Sequence, residues 1–303
     1  MEPREWALVV FTILTQMAFG GFFLLWIIHA VARRRIGIEE ANRLSNPAFL
    51  AIPAIQGAAL LVSLAHLSQI LRAPLAVTHL GTSWLSREVS FAIATFLVVG
   101  LFGILQWFKA TPRAFRDFLG ILGILLGIGT IYSMSRVYMI ATVAPWNTFE
   151  TMTSFYVASF LLGSLFVGTA LTITHRALRS SSEERSEWLG RVQSGLGVVA
   201  LVFLGIEFIV TPLYLTVLGT GPATDQQAIG LLENQYRGIY GVRLFLLFLG
   251  AGIFTMLIYR NALKPEWRRR VAGFTYSAFA IVLASEVLRR FLFYVMRIRT
   301  GLP

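Results

Sequence analysis

The sequence predicts an all-α integral membrane protein, with eight transmembrane helices in two four-helix bundles and both termini on the outer side. Three observations carry this expectation. Of the 303 residues, 56% are hydrophobic and only 14% are charged, against roughly 25% charged in an ordinary soluble domain. The apolar residues fall into eight continuous runs, and a bilayer core about 30 Å thick needs around 20 apolar residues of helix. The basic residues collect in alternate loops between those runs.

The runs cover residues 5–32, 47–70, 88–109, 118–141, 150–174, 191–217, 238–259 and 271–296. Stretches such as FLGILGILLGIGTIYSM are continuous and glycine-rich. Strands of a membrane barrel would read as short alternating segments, so helices are expected. The first run is too long for the apolar region of a signal peptide and lacks a basic leader and a small-residue cleavage site, so it is expected to stay in the mature protein. No hydrophilic stretch is long enough for a soluble domain, which leaves residues 1–303 as one membrane domain. Each set of four helices returns the polypeptide to the same side, so the two halves are candidate parallel repeats; YSMSRVYM and LASEVLRRFLFYVM are the only weak trace of one.

Topology follows from the loops. Arg33, Arg34, Arg35 and Arg43 lie between runs 1 and 2; Lys109, Arg113 and Arg116 between 3 and 4; Arg176, Arg179, Arg185 and Arg191 between 5 and 6; and Arg260, Lys264, Arg268, Arg269 and Arg270 between 7 and 8. The opposite side holds Arg4, Arg72, Arg87 and Arg237, with Arg297 and Arg299 in the tail. Basic loops stay on the cytoplasmic side, which puts both termini outside. The net charge of +11 is therefore read as topology facing an anionic lipid leaflet, not as a nucleic-acid surface. With no cysteine, the protein cannot form disulfides, bind zinc through thiolates or ligate an iron–sulfur cluster by itself. Electron chemistry here would need a bound organic molecule, a haem or a partner.

An ionisable group inside a membrane helix costs about 2.5–3.5 kcal/mol on insertion scales and is a functional candidate by default. The candidates are His66, Glu88, Arg136, Glu207, Glu286, Arg289 and Arg290, with Gln16 as a neutral companion. His66, Arg136, Glu207 and Glu286 fall past the midpoint of helices running outward, and Glu88 opens a helix running inward, so all five sit in the outer half. No comparable set is expected in the inner half, and the polarity reads as a one-sided pocket. Structural alternatives stand beside each. Glu286, Arg289 and Arg290 are spaced as a self-neutralising helical face, Arg136 can snorkel outward or pair with Glu88 or Glu207, and Glu88 can offset the positive end of its helix. His29 and His175 match in depth, but both lie at basic helix ends, where interfacial histidines are the simpler reading than haem ligands. Metal-site spacings, nucleophile elbows and phosphate loops are absent from the sequence. Two chemistries remain: a proton-coupled transporter, or a site for a lipophilic redox molecule. Oxidation of a hydroquinone releases two protons with two electrons and needs acceptors such as His and Glu near an aqueous exit.

The segments EWALVVFTILTQMAFGGF, SLAHLSQILRA followed by SWLSREVS, SRVYMIATVAPW and ASEVLRRFLFY resemble, in the same order, the membrane-anchor subunit of bacterial dimethyl sulfoxide reductase. The resemblance implies an eight-helix anchor of the bacterial inner membrane with periplasmic termini. It further implies menaquinol as the bound substrate, an iron–sulfur partner subunit and a catalytic subunit holding a molybdenum–pterin cofactor. It places the quinol-site histidine on His66 and the nearby acid on Glu88; Arg72, Arg136, Glu207 and Glu286 match other polar positions of the pattern. The family's HLGSP reads HLSQI here, so a Gly and a Pro are lost just after His66. A bare tether for soluble subunits is the remaining alternative. The terminal electron acceptor belongs to the catalytic subunit and cannot be read from this sequence.

Overall fold

The computed structural model describes residues 3–66, 70–178, 183–254 and 268–299. Within them the regular structure is helical and there is no strand. Helix α1 (Pro3–Arg35) has 33 residues, about 50 Å at 1.5 Å per residue, longer than an apolar layer of about 30 Å. Arg33, Arg34 and Arg35 close its last turn, where cations complement the helix dipole. The backbone then reverses within two residues, because Gly37 takes φ +81°, a conformation that favours glycine. Helix α2 (Gly37–Leu64) follows at once.

A short 3-10 segment (Ile70–Val77) leads to α3 (Trp84–Phe108), whose first turn is capped by Ser83 Oγ accepting from the Ser86 amide at 3.3 Å. Next come α4 (Arg113–Tyr138), a 3-10 turn (Ala144–Trp146), α5 (Phe149–Ala177) and α6 (Glu183–Gly219). Helix α7 (Ala223–Gly230) runs into a π turn (Leu231–Gln235). Helix α8 (Arg237–Leu247) continues as a π segment (Phe248–Phe254), and α9 is Arg268–Val295. Six of the described helices, α1 to α6, are long and apolar enough to cross a membrane. The seventh expected run is described only as far as Phe254, and the eighth is occupied by α9.

One boundary moves in a way that matters. The second run is expected over 47–70, yet α2 begins at Gly37 and ends at Leu64. The polar start GIEEANRLSN is helical without being apolar, so hydropathy misses it. At the other end Ala65 donates to Val62 O in a closing turn, and His66 sits just beyond the helix instead of inside it.

Helices α1 to α4 pack as neighbours in a ring, and in the second group α5 packs on α6 and α9, α9 packs on α8, and α6 meets the π segment that continues α8. The two groups join mainly through α1 against α5. That seam is backbone against backbone: a Cβ on Gly20 would stand 1.8 Å from Ser159 O, and one on Gly163 would stand 2.4 Å from the Gly20 carbonyl carbon. Small residues at membrane-helix crossings permit this approach. Gly20→Ala is therefore expected to destabilise the protein by at least the 1–3 kcal/mol typical of overpacking, read as a lower unfolding temperature in detergent. Gly195→Ala, whose Cβ would meet nothing within 4 Å, is the control that should leave it unchanged. The two ends of the described structure meet on one side, where Arg297 pairs with Glu5 at 3.2 Å and Trp6 stacks on Phe291.

Candidate functional site

On the side where the termini meet, the 3-10 turn Ala144–Trp146 folds back over the helix ends. Trp146 stacks on Phe293 with centroids 4.9 Å apart and donates from Nε1 to Phe293 O at 2.7 Å. Tyr214 on α6 donates to Pro145 O at 3.0 Å. Under this turn the hydroxyls of Tyr138, ending α4, and Tyr294, ending α9, are hydrogen-bonded to each other. Tyr138 also packs edge-on against Trp146 and Phe293.

Two charged groups flank that tyrosine pair. Glu88, one turn into α3, is 4% exposed and lies close enough to act electrostatically on both hydroxyls. Among the described residues it has no hydrogen bond and no ion pair. Arg290 on α9 lies over the Phe155 ring, 4.0 Å from its centroid, and donates to Gln16 Oε1 on α1 at 3.1 Å. Its charge is thus met by a π face and a neutral amide; no carboxylate lies within ion-pair distance among the described residues. A buried acid and a buried cation therefore both act on the same two phenols, at the seam between the two helix groups.

The other expected residues separate from this centre. His66 is half-buried, and its Nδ1 hydrogen-bonds the Ser63 carbonyl; among the described residues it makes no hydrogen bond to Glu88. Residues 67–69, which carry most of the HLSQI departure, lie outside the described residues. Arg72 falls in the 3-10 segment Ile70–Val77, with its side chain outside the described residues. Arg136 pairs with neither Glu88 nor Glu207, the two acids suggested for it; its guanidinium stacks on Trp84, 5.2 Å from the ring centroid. Trp84 carries Arg87 as well, at 4.3 Å, while Arg87 donates to Leu80 O and Gly81 O at 2.7 Å each.

Glu207 and Glu286 form a second centre. Buried Glu207 is ion-paired with Arg243 of α8 and lies 3.4 Å from Arg289. Arg289 also pairs with Glu286 at 3.1 Å and donates to Ser154 O at 2.6 Å. The expected spacing on α9 is thus realised for Glu286 and Arg289, while Arg290 turns to the other centre. Arg243 was missed from the sequence although it stands sixth in the run 238–259; an arginine that deep in an apolar run was itself the signal.

The opposite end of the helices also carries buried polarity, of a different kind from the ionisable set singled out above. Gln106 Nε2 donates to Asn42 Oδ1 at 2.8 Å and lies 3.4 Å from Nε2 of buried His29. Gln193 donates to Gly168 O at 2.7 Å and to Thr172 Oγ1 at 2.8 Å. These are mostly neutral amides and hydroxyls, which a search for ionisable groups passes over.

The family model of the DMSO reductase anchor subunit (DmsC) matches this protein over residues 1–296. The protein belongs to that family. It is similar to the C subunit of the anaerobic dimethyl sulfoxide reductase of Escherichia coli (strain K12), with 25% identity over 302 residues, which cover 99% of this sequence and 97% of that relative. It is 26% identical to the anaerobic dimethyl sulfoxide reductase subunit YnfH of the same organism, with the same coverage. The corresponding C subunit of Haemophilus influenzae (strain ATCC 51907 / DSM 11121 / KW20 / Rd) is 27% identical over 172 residues, 57% of this sequence and 60% of that relative. This DMSO reductase anchor subunit is thus a multi-pass membrane protein, in keeping with its six apolar helices among the described residues.

Proposed function

We propose that this anchor subunit binds menaquinol in the outer half of the bacterial inner membrane, oxidises it, and passes the electrons to an iron–sulfur subunit that serves a molybdenum–pterin catalytic subunit. In this reading the protein crosses the membrane eight times with periplasmic termini, and its soluble partners dock on the periplasmic loops. Oxidation and terminal reduction then occur on the same side, and no charge crosses the membrane.

The observation that carries the reading is the buried carboxyl of Glu88, unpaired among the described residues and set beside Tyr138 and Tyr294. A buried acid without a partner is costly, and a quinol hydroxyl is the kind of donor that would satisfy it. His66, at the turn ending α2, supplies a second proton acceptor on the route to water, through the ring nitrogen that the Ser63 carbonyl does not occupy. The partner's clusters would supply the acceptor for the two electrons; the anchor's own residues hold the ring and receive its protons.

The test is Glu88→Gln in the assembled complex. Quinol-driven reduction of the terminal substrate is expected to fall, while reduction driven by a soluble dye, which bypasses this subunit, stays at the wild-type rate. Equal quinol-driven turnover in the variant would remove Glu88 from the reaction. Loss of the partner subunits from the purified membrane complex would show failed assembly, and Glu88→Asp is then the variant to compare.

A further inference from the structure

A cavity of about 480 Å3 opens at the basic end of the helices, opposite the termini, between the start of α2 and the ends of α3 and α5. Its size falls in the range of small-molecule sites, about 300–1,000 Å3. The lining is graded along the helices. Glu39, Arg43 and Pro47 follow one another at four-residue steps on one face of α2, so charge lies at the helix start and the apolar ring lies deeper. Trp107 of α3 and Ile173 of α5, both exposed, extend the apolar part.

Donors dominate the polar part. Asn42 and Asn46 line the cavity although they are only 5% and 9% exposed. Their Oδ1 atoms accept from Gln106 Nε2 at 2.8 and 3.5 Å, and neither Nδ2 has a hydrogen-bond partner among the described residues. Polar groups on buried side chains are normally satisfied, so the two amides call for an acceptor. Lys109 reaches the rim from a left-handed backbone, φ +52°, alone among the described non-glycine residues, and outliers of this kind cluster at ligand clamps. Arg43, Lys109 and Arg185 stand against Glu39 and Glu40 in this group of ion pairs, which leaves one positive charge. A ligand with several acceptor oxygens, one negative charge and an apolar body matches all three features.

We propose that this cavity binds one phosphatidylglycerol-type lipid. Its phosphodiester is held by Arg43, Lys109 and the two asparagine amides, and its acyl chains lie against Pro47, Trp107 and Ile173. The lipid bridges the two helix groups, since α2 and α3 belong to one and α5 to the other. The site is independent of the quinol reading above.

The experiment is native mass spectrometry of the purified complex, stripped of lipid in detergent and titrated with phosphatidylglycerol, phosphatidylcholine or glycerol 3-phosphate; retained partner subunits are the check on assembly. At saturation the wild type is expected to hold one phosphatidylglycerol more than Ala177→Trp, which fills the cavity from an exposed position. Ile173→Trp fills the same cavity and serves if Ala177→Trp fails to assemble. Lys109→Asn combined with Arg43→Gln removes both charges, and Asn tolerates the left-handed backbone. Affinity at this site should then fall about 30-fold, roughly fivefold for each basic residue. Equal lipid counts in the wild type and the cavity-filling variants overturn the proposal. Phosphatidylcholine bound there as tightly as phosphatidylglycerol overturns it as well. Glycerol 3-phosphate bound as tightly as the lipid would make the ligand a free phosphate ester and likewise overturn it.

Discussion

His66→Ala is expected to lower quinol-driven turnover by about 100-fold or more while dye-driven activity of the partner subunits is retained. The magnitude is that of a positioned general base, about 10²–10⁴-fold. The geometry says which atom is at stake. The Ser63 carbonyl occupies Nδ1, so the proton resides there and Nε2 keeps its lone pair, since a hydrogen bond at one ring nitrogen sets the tautomer at the other. Removing the ring takes away that lone pair without touching the packed faces of α2, because His66 lies past the helix end and is half-exposed. The effect should therefore appear in kcat more than in folding yield. Unchanged quinol turnover in His66→Ala would strip the residue of its assigned role.

Arg243→Ala is expected to cost about 3–5 kcal/mol of stability, the loss typical of removing one partner from a buried ion pair. Glu207 would keep only Arg289, at 3.4 Å and already shared with Glu286 and the Ser154 carbonyl. A steep drop in the detergent unfolding temperature and in assembled yield is the measurement. The double variant Arg243→Leu with Glu207→Leu should recover much of that loss, because an apolar pair removes the uncompensated charge. A double variant less stable than Arg243→Ala would show that the carboxylate and guanidinium serve something other than each other.

What the sequence could reveal divides along the separation in sequence of each contact. The apolar runs located the helices because lipid selects for continuous apolar length. Glu286 with Arg289 was legible because three residues along a helix share a face. The partner of Glu207 was not, since Arg243 lies 36 residues away on another helix. The Tyr138–Tyr294 hydroxyl pair spans 156 residues, and no local pattern announces it. For Arg136 the sequence leaves open snorkelling outward or pairing with a carboxylate, and the side chain instead finds the face of Trp84, an outcome that depends on how α3 and α4 pack. The start of α2 escaped notice because hydropathy records what lipid touches, while the helix also runs through GIEEANRLSN outside that layer. Gln106 and Asn42 carry no charge, so a reading keyed to ionisable groups does not find them, whereas amides can satisfy one another at lower cost.

The glycine seam between α1 and α5 has a mechanical meaning. Carriers that alternate access rock one bundle against another, and such a joint needs side chains that can slide and repack. Here Gly20 rests directly on the backbone at Ser159 and Gly163, and the hydrogen bond from Arg290 to Gln16 bridges the same two helix groups nearby. Any rotation would drive main chain into main chain. The two groups form a keel, not a hinge.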